Sequence, residues 1–243
     1  MSKAFFDSLR ASFGPLAQNQ VEGVNHLLKA TTGLPLRHRA YVLATAWHET
    51  GPASSPLHMT PRREIWGPTE AQRGYEGRKD LGNTVMGDGK RYMGRGYVQI
   101  TGRRNYQKAS LLTGRDLVAN PDLALDPDIA AAVIVDGMKN GWFTGKRMGD
   151  FEAFRDMRRV VNGMDKADEI ARHADKFQKA LAADLVAAPA PAEPPPAPMP
   201  PPAPETPPAA TPAPANAASS IAGYVLAAAA ALVAALLAWI MKG

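Results

Sequence analysis

One segment decides the fold of this chain, and it reads Arg91-Tyr-Met-Gly-Arg-Gly-Tyr-Val-Gln-Ile-Thr-Gly-Arg-Arg-Asn-Tyr106. Gly94 and Gly96 flank Arg95, and because they have no Cβ the backbone can come close to another group there. Residues 97–101 then alternate between polar and apolar or β-prone side chains, as in a short half-buried strand. We therefore predict a small β-hairpin at this point.

That hairpin would carry an uncharged, hydrogen-bonding wall that includes the hydroxyl of Thr101. Amides, hydroxyls and aromatic faces suit a neutral sugar chain, which offers hydroxyls, acetamides and apolar ring faces. The alternative is an ordinary surface hairpin whose glycines serve only turns. The predicted binding surface of the hairpin comprises Tyr92, Arg95, Gln99, Asn105 and Tyr106.

The segment upstream favours a site over a plain hairpin. Apolar residues run almost around the circumference of a helix predicted over residues 36–48, which is typical of a buried central helix. Glu49 follows at its C-terminal end, two residues after Trp47. There the negative end of the helix dipole and the apolar neighbour disfavour a charged carboxylate, which suits a proton donor. The alternative is a solvent-exposed glutamate at a helix end.

Two further glutamates, Glu64 and Glu76, lie in the loop-rich stretch between residues 50 and 90. Each has an arginine nearby and could form an ordinary surface ion pair. Because loops often carry the functional residues of a cleft, either glutamate is a candidate for a second, base-acting carboxylate.

The chain contains no cysteine, so disulfides, thiolate metal sites and a cysteine nucleophile are excluded. His48-Glu49 begins like a zinc-binding helix, but the position that would need the second histidine is Pro52. The other histidines show no ligand spacing. We therefore predict neither a metal nor another cofactor.

Apolar spacing predicts further helices over residues 15–30, 129–138, 151–161 and 168–186. Arg155, Arg158 and Arg159 lie on the third of these and are interpreted as a solvated or ion-paired face.

Several of these segments together resemble the family 19 chitinases, and more closely their phage endolysin relatives. They are His48-Glu49-Thr50-Gly51, the glutamate-bearing loop, the run from Gly87 to Tyr106, and Arg159-Val-Val-Asn-Gly163. The resemblance covers roughly residues 15–185. It implies a mainly α-helical, lysozyme-like domain with a small β-hairpin at the cleft.

The resemblance also implies an activity: hydrolysis, with inversion, of β-1,4 links next to N-acetylated amino sugars. Glu49 matches the general acid, and Thr101 matches the hydroxyl that positions the water. Gln99, Asn105 and Asn162 match substrate-binding amides.

The resemblance identifies the catalytic base less directly than the acid. Glu64 lies about where short-looped endolysins place their second glutamate, whereas a plant-type loop would place it nearer Glu76. We prefer Glu64 and keep Glu76 as the alternative base. The family's usual cysteines are absent, and Met164 replaces a second glycine after Asn162-Gly163, so the far rim of the cleft is expected to differ.

The C-terminal part of the chain divides into a linker and a hydrophobic tail. Residues 187–218 are almost wholly Pro, Ala, Thr and Glu, which predicts an extended spacer. Residues 221–241 carry no charge, and a helix of that length spans roughly 30 Å, the thickness of a bilayer core. Tyr224 and Trp239 lie near its two ends, where interfacial aromatics belong. The alternative is an alanine-rich helix buried in a soluble protein. We predict a hydrolase domain at 1–186, a linker at 187–218 and a transmembrane anchor at 219–243.

The net charge of +5 at pH 7 suits an anionic polymer or a membrane surface. The basic residues are scattered and form no nucleic-acid-binding signature, so we predict no nucleic-acid partner. Residues 1–7 contain no long apolar segment, so no cleavable signal peptide is predicted.

These features predict a peptidoglycan hydrolase of the endolysin or muramidase type. The anchor would hold it in a bacterial inner membrane, from which the domain acts on the periplasmic cell wall. Chitin is the second candidate substrate. Two alternatives come from other classes: a non-catalytic wall-binding module, and a membrane-lesion protein that acts through its hydrophobic tail.

Overall fold

The computed structural model describes residues 2–187, which form a mainly helical domain with a small two-stranded sheet. Its helices are α1 (Lys3–Phe13), α2 (Gln18–Ala30), α3 (Leu36–Glu49), α4 (Glu70–Arg73), α5 (Asp88–Arg91), α6 (Arg103–Thr113), α7 (Pro127–Asn140), α8 (Phe154–Met157) and α9 (Ala167–Ala187). The strands are β1 (Arg62–Arg63) and β2 (Arg95–Gly96). Short 3-10 turns lie at Lys79–Leu81, Pro121–Leu125, Met148–Asp150 and Arg158–Val160.

Helix α3 is the centre of the domain, as its apolar circumference predicts. Every residue from Ala40 to Trp47 is buried. The helix packs along α9, which also packs against α1, and the shared core includes Phe5, Leu43 and Phe177. Burying one such large apolar side chain contributes roughly 1.5–3 kcal/mol. This core therefore fixes the position of the helix end that carries Glu49.

A second apolar cluster lies under the hairpin segment and joins it to α6 and α7. Tyr92, Ile100 and Tyr106 are buried there with Val133 of α7. Helix α7 begins where the Asp126 side chain accepts hydrogen bonds from the next amides, which satisfies donors that an uncapped helix leaves open. This cluster supports the hairpin from below.

The small sheet is antiparallel and pairs Arg62 with Gly96 and Arg63 with Arg95. The strand predicted at 97–101 is wrong, because the chain turns there. Arg95 and Ile100 exchange both backbone hydrogen bonds, so the residues between them form a tight loop. Gly96 has φ of +92° and Gln99 has φ of +53°. Left-handed backbone at both positions reverses the chain direction, which alternation of side-chain polarity does not reveal.

Other elements also differ from the sequence prediction. Residues 151–161 form the short helix α8 followed by a 3-10 turn rather than one continuous helix. The sequence patterns predict none of the helices α1, α4, α5 and α6. Within residues 2–187, the structure contains no helix that is both long and apolar enough for a membrane span. The predicted linker, beyond its first residue, and the predicted anchor lie outside the described residues.

Candidate active site

Glu49 is the last residue of α3, and its surroundings are tightly bonded to the small sheet. Thr50 ends the helix with its hydroxyl donating to the Ala46 carbonyl at 2.8 Å. Arg62 of β1 donates from Nη1 to the Thr50 carbonyl at 2.6 Å. Strand β1 is therefore attached directly to the helix end that carries Glu49.

The Glu49 side chain is 24% exposed and is held by a buried arginine. Arg158 Nη1 donates to Glu49 Oε1 at 2.5 Å, and Arg158 Nε donates to the Asp165 carbonyl at 3.0 Å. The Arg158 side chain is only 4% exposed. Of the two alternatives predicted for this arginine, the ion pair holds and the solvated face does not, since the Arg158 side chain turns into the domain and pairs with Glu49.

Glu64 follows β1 and both of its carboxylate oxygens accept hydrogen bonds. Oε2 accepts from the Gly94 amide at 3.0 Å, and the Glu64 amide donates back to the Gly94 carbonyl at 2.8 Å. Oε1 accepts from Gln72 Nε2 at 2.9 Å and lies 3.4 Å from the Tyr75 hydroxyl. Burial and the neighbouring Glu64 charge raise the pKa of Tyr75, which keeps its hydroxyl a donor. The carboxylate is thus fixed in one orientation.

Gln72 holds the loop that follows Glu64, and sequence reasoning missed it. Its side chain is buried and uses both ends of its amide. Nε2 donates to the Ile65 carbonyl at 2.7 Å as well as to Glu64, and Oε1 accepts from the Gly67 and Thr69 amides. The capping-box spacing from Thr69 to Gln72 is the signal that could have drawn attention to it.

Gly94 lies where the Glu64 and Gln99 side chains meet. A Cβ added at Gly94 would lie 2.9 Å from Gln99 Oε1 and 3.2 Å from Glu64 Oε2. Gln99 Nε2 in turn donates to the Arg62 carbonyl at 2.8 Å. The glycine predicted to allow a close approach therefore has that role. One short set of contacts leads from Thr50 through Arg62, Gln99 and Gly94 to Glu64.

The other amides and hydroxyls of the predicted wall are bonded to nearby backbone. Thr101 Oγ1 donates to the Gln99 carbonyl at 3.0 Å, and Asn105 Nδ2 donates to the Thr101 carbonyl at 2.9 Å. Gln99 uses its Nε2 on Arg62 and on the Gly96 carbonyl. All three side chains are partly exposed. In these hydrogen bonds each side chain acts only as a donor, so its oxygen is not used as an acceptor.

Three residues predicted to touch substrate are buried instead. Tyr92 is 1% exposed, Arg95 5% and Tyr106 0%. Arg95 donates to the Tyr106 hydroxyl at 2.9 Å and to Asp122, and the Tyr106 hydroxyl donates to the Met93 carbonyl at 2.7 Å. Burial raises the pKa of Tyr106 to about 12. These residues support the hairpin from inside, so their assignment to the binding surface is corrected.

Glu76 and Asn162 occupy different surroundings from Glu64. Glu76 accepts from the amides of Gly87 and Gly89 at 2.7 and 3.0 Å, at the beginning of α5. There it satisfies backbone donors that a helix start leaves open. Asn162 is exposed in the turn after the 3-10 segment, and its backbone amide donates to the Arg158 carbonyl at 3.0 Å. It therefore lies on the Arg158 side of Glu49.

Part of the chain is similar in sequence to known proteins. Residues 60–146 match the profile of the family 19 glycoside hydrolases, described as chitinase class I. Glu64, Glu76, Gln99, Thr101 and Asn105 fall inside the match, and Glu49 precedes it. A segment of 33 residues is 58% identical to acidic endochitinase Q of Nicotiana tabacum. That segment is 14% of this chain and spans 13% of the tobacco protein's length.

Solved structures resemble the domain as a whole. A bacterial family 19 chitinase aligns with a TM-score of 0.52 and 22% identity, over 74% of this chain and 94% of that chain. Chitinase C from Streptomyces griseus aligns over 75% of this chain and 78% of its own, with a TM-score of 0.48 and 19% identity. The predicted mainly helical, lysozyme-like fold and the predicted glycoside hydrolase class are confirmed at this level. Residues 60–146 are thus similar in sequence to the family 19 chitinases, within a domain whose fold is similar to that of a bacterial family 19 chitinase.

Proposed function

We propose that the domain hydrolyses peptidoglycan, cutting β-1,4 links next to N-acetylated amino sugars by an inverting mechanism. The observation that carries the proposal is the connection between two carboxylates through one set of contacts. Glu49 ends α3 beside Thr50, and Glu64 follows the strand whose Arg62 bonds to the Thr50 carbonyl. A fixed pair of carboxylates at one cleft is what inverting hydrolysis requires, with roughly 6.5–9.5 Å between them to admit a water.

In this mechanism Glu49 donates a proton to the leaving glycosidic oxygen. Arg158 holds the Glu49 side chain in place, and after proton transfer its guanidinium stabilises the carboxylate that remains. Glu64 removes a proton from the attacking water on the opposite face of the sugar. Thr101 would orient that water through its hydroxyl oxygen, because its proton is already donated to the Gln99 carbonyl.

The surroundings of Glu64 favour it over Glu76 as the base. Glu64 contacts Gly94 next to Gln99, whereas both Glu76 oxygens accept from backbone amides at the start of α5. Glu64→Gln is therefore expected to lose turnover, and Glu76→Gln to retain it with reduced stability.

Peptidoglycan is preferred over chitin because the chain is basic and peptidoglycan carries carboxylates on its peptide stems. We also propose that residues 221–241 anchor the chain in the inner membrane, with the proline-rich segment as a spacer to the cell wall. Leu232→Arg places a charge at the middle of that segment, so it should move the chain from the membrane fraction to the soluble fraction. Unchanged fractionation would contradict the anchor.

Chitin remains the second candidate, because the matching family profile is described as chitinase class I. The test is digestion of purified bacterial cell walls and of colloidal chitin in parallel, with mass spectrometry of the released reducing ends. Products from cell walls alone support the proposal, and products from chitin alone support the second candidate. Wall binding without products would identify a binding module, and lysis without released sugars would identify a membrane-lesion protein.

A further inference from the structure

A cavity of about 640 Å³ lies between the end of α3, the loop that follows it and the first two turns of α9. Its lining includes neither Glu49 nor Glu64. Its wall combines an indole, two imidazoles, an ammonium group and a carboxylate. The residues that define it are Trp47, His48, Pro52, Lys166, Glu169 and His173.

The polar groups of this cavity are only loosely paired with each other. Glu169 lies 3.6 Å from His48 Nδ1 and 3.8 Å from Lys166 Nζ, both longer than a hydrogen bond. His173 Nδ1 is buried and has no hydrogen-bond partner among residues 2–187. Burial lowers the pKa of His173, so its ring is neutral near pH 7 and offers one donor and one acceptor. The side chains of Lys166 and Glu169 are 56% and 40% exposed, so their two charges remain available to a ligand.

Neighbours of the proposed acid in the sequence line the cavity. His48 precedes Glu49 in α3, and Gly51 of the cavity wall follows it by two residues. On the other side, Lys166 follows Asp165, whose carbonyl holds the Arg158 that binds Glu49. The cavity therefore lies at the same end of α3 as the proposed acid.

Peptidoglycan carries a peptide close to its glycosidic bonds. The stem leaves the muramic acid ring through a lactyl ether at carbon 3, one or two ring carbons from the glycosidic linkage, whichever of the two linkages is cut. The stem carries carboxylates, backbone amides and an amino group on its dibasic residue. Lys166 complements a carboxylate, Glu169 complements an ammonium group, and the partly exposed imidazole of His48 complements an amide.

We propose that this cavity binds the peptide stem of peptidoglycan, so that the enzyme distinguishes stem-bearing glycan from bare glycan. This inference rests on the proposed function and adds the substrate group that the enzyme recognises. It predicts that the unaltered chain cleaves intact glycan faster than the same glycan after an amidase has removed its stems.

The test compares kcat/KM on these two substrates for the full chain and its variants. Lys166→Glu reverses one charge on a side chain that is 56% exposed, so the fold should tolerate it. It is expected to lower kcat/KM on intact glycan by roughly three- to tenfold, the range for one charged contact at a partly exposed site. On stem-free glycan it should change little. The matched control is Lys179→Glu, which makes the same change on the exposed face of α9, outside the cavity.

Each other outcome is decisive. An equal loss on both substrates, or no preference of the unaltered chain for intact glycan, would overturn stem recognition while leaving the hydrolase intact. No cleavage of either substrate by the unaltered chain would overturn the proposed function, and the stem site with it. Equal effects of Lys166→Glu and Lys179→Glu would indicate general electrostatic attraction to the wall and would also overturn the stem site.

Discussion

Arg158 holds Glu49 from a position 109 residues away in the chain, with Nη1 donating to Oε1 at 2.5 Å. The guanidinium is almost completely buried, whereas the carboxylate is 24% exposed. The contact joins the turn after α8 to the end of the central helix. It therefore links the stability of the domain to the placement of its proposed acid.

Arg158→Met should lower both stability and turnover. Breaking a fully buried pair costs about 3–5 kcal/mol, and the partial exposure of Glu49 reduces the expected loss to about 1–3 kcal/mol. Urea unfolding measures it. The control is a double-mutant cycle, in which Arg158→Met costs less when Glu49 is already glutamine. Equal costs in the two backgrounds would show that the pair contributes nothing.

Gln72→Met should impair catalysis more than binding. Methionine has a similar volume but cannot hold the Glu64 carboxylate or the loop amides that Gln72 contacts. We expect kcat to fall about tenfold with KM nearly unchanged, because a misplaced catalytic group affects mainly the chemical step.

The chain offers a matched control for this change in Gln20, a buried glutamine that bonds to the Ala17 amide and the Ala53 carbonyl. Gln20→Met should cost a comparable free energy of unfolding and leave kcat unchanged. If the two variants reduced kcat equally, the loss would come from general destabilisation rather than from the position of Glu64.

Gly94→Ala tests the close approach in the glycine-rich segment. The added methyl group would lie 2.9 Å from Gln99 Oε1 and 3.2 Å from Glu64 Oε2, so one of these side chains must move. We expect turnover to fall at least about tenfold, as for a small misplacement of reacting groups. Gly149→Ala is the control, because a Cβ there meets no atom within 4 Å. Full activity of Gly94→Ala would show that turnover does not depend on the close approach at this glycine.

The sequence revealed the parts of the site that depend on local pattern. The apolar circumference of α3 and the position of Glu49 at its end follow from helical spacing, and Gly94 follows from the need for close approach. The pairing of Glu49 with Arg158 depends on how α8 and the turn after it pack, and no local spacing of residues in the sequence predicts that packing. The left-handed backbone at Gln99 was also hidden, because a turn that uses a non-glycine residue carries little sequence signal.

The burial of Tyr92, Arg95 and Tyr106 was missed for a related reason. Aromatic and polar side chains beside a sugar-binding segment suit a cleft, but they serve equally well as its support. Arg95 is buried because Asp122, Met93 and Tyr106 satisfy its donors. Only the tertiary structure supplies those partners, so the sequence could not separate the two roles.

Stability should decrease on acidification through the buried His58. Its Nε2 lies 2.8 Å from the Trp47 carbonyl and its Nδ1 lies 2.9 Å from Gln20 Nε2, a pattern that requires the neutral ring. Burial lowers the pKa of His58 below its ordinary value of 6.5. Because the folded state binds this proton less readily than the unfolded state, stability is lost as the pH falls below about 6.5 and the loss levels off below the folded pKa.

Thermal unfolding between pH 7.5 and 5 measures this effect, with a slope of at most about 1.4 kcal/mol per pH unit for one group. Burial lowers the pKa of His38 and His173 as well, so they add in the same direction. His58→Gln should be less stable at pH 7 and show a shallower pH dependence. An unchanged slope would exclude His58 as a contributor.

The central claim is that Glu49 donates the proton that cleaves the glycosidic bond. The most direct test measures reducing ends released from purified cell walls by the full chain and by Glu49→Gln, with folding checked by circular dichroism. Loss of a general acid typically costs 10²–10⁴-fold, so we expect the glutamine variant to fold and bind walls while releasing sugar at least about a hundredfold more slowly. A folded Glu49→Gln chain that digests walls at the unaltered rate would contradict the account.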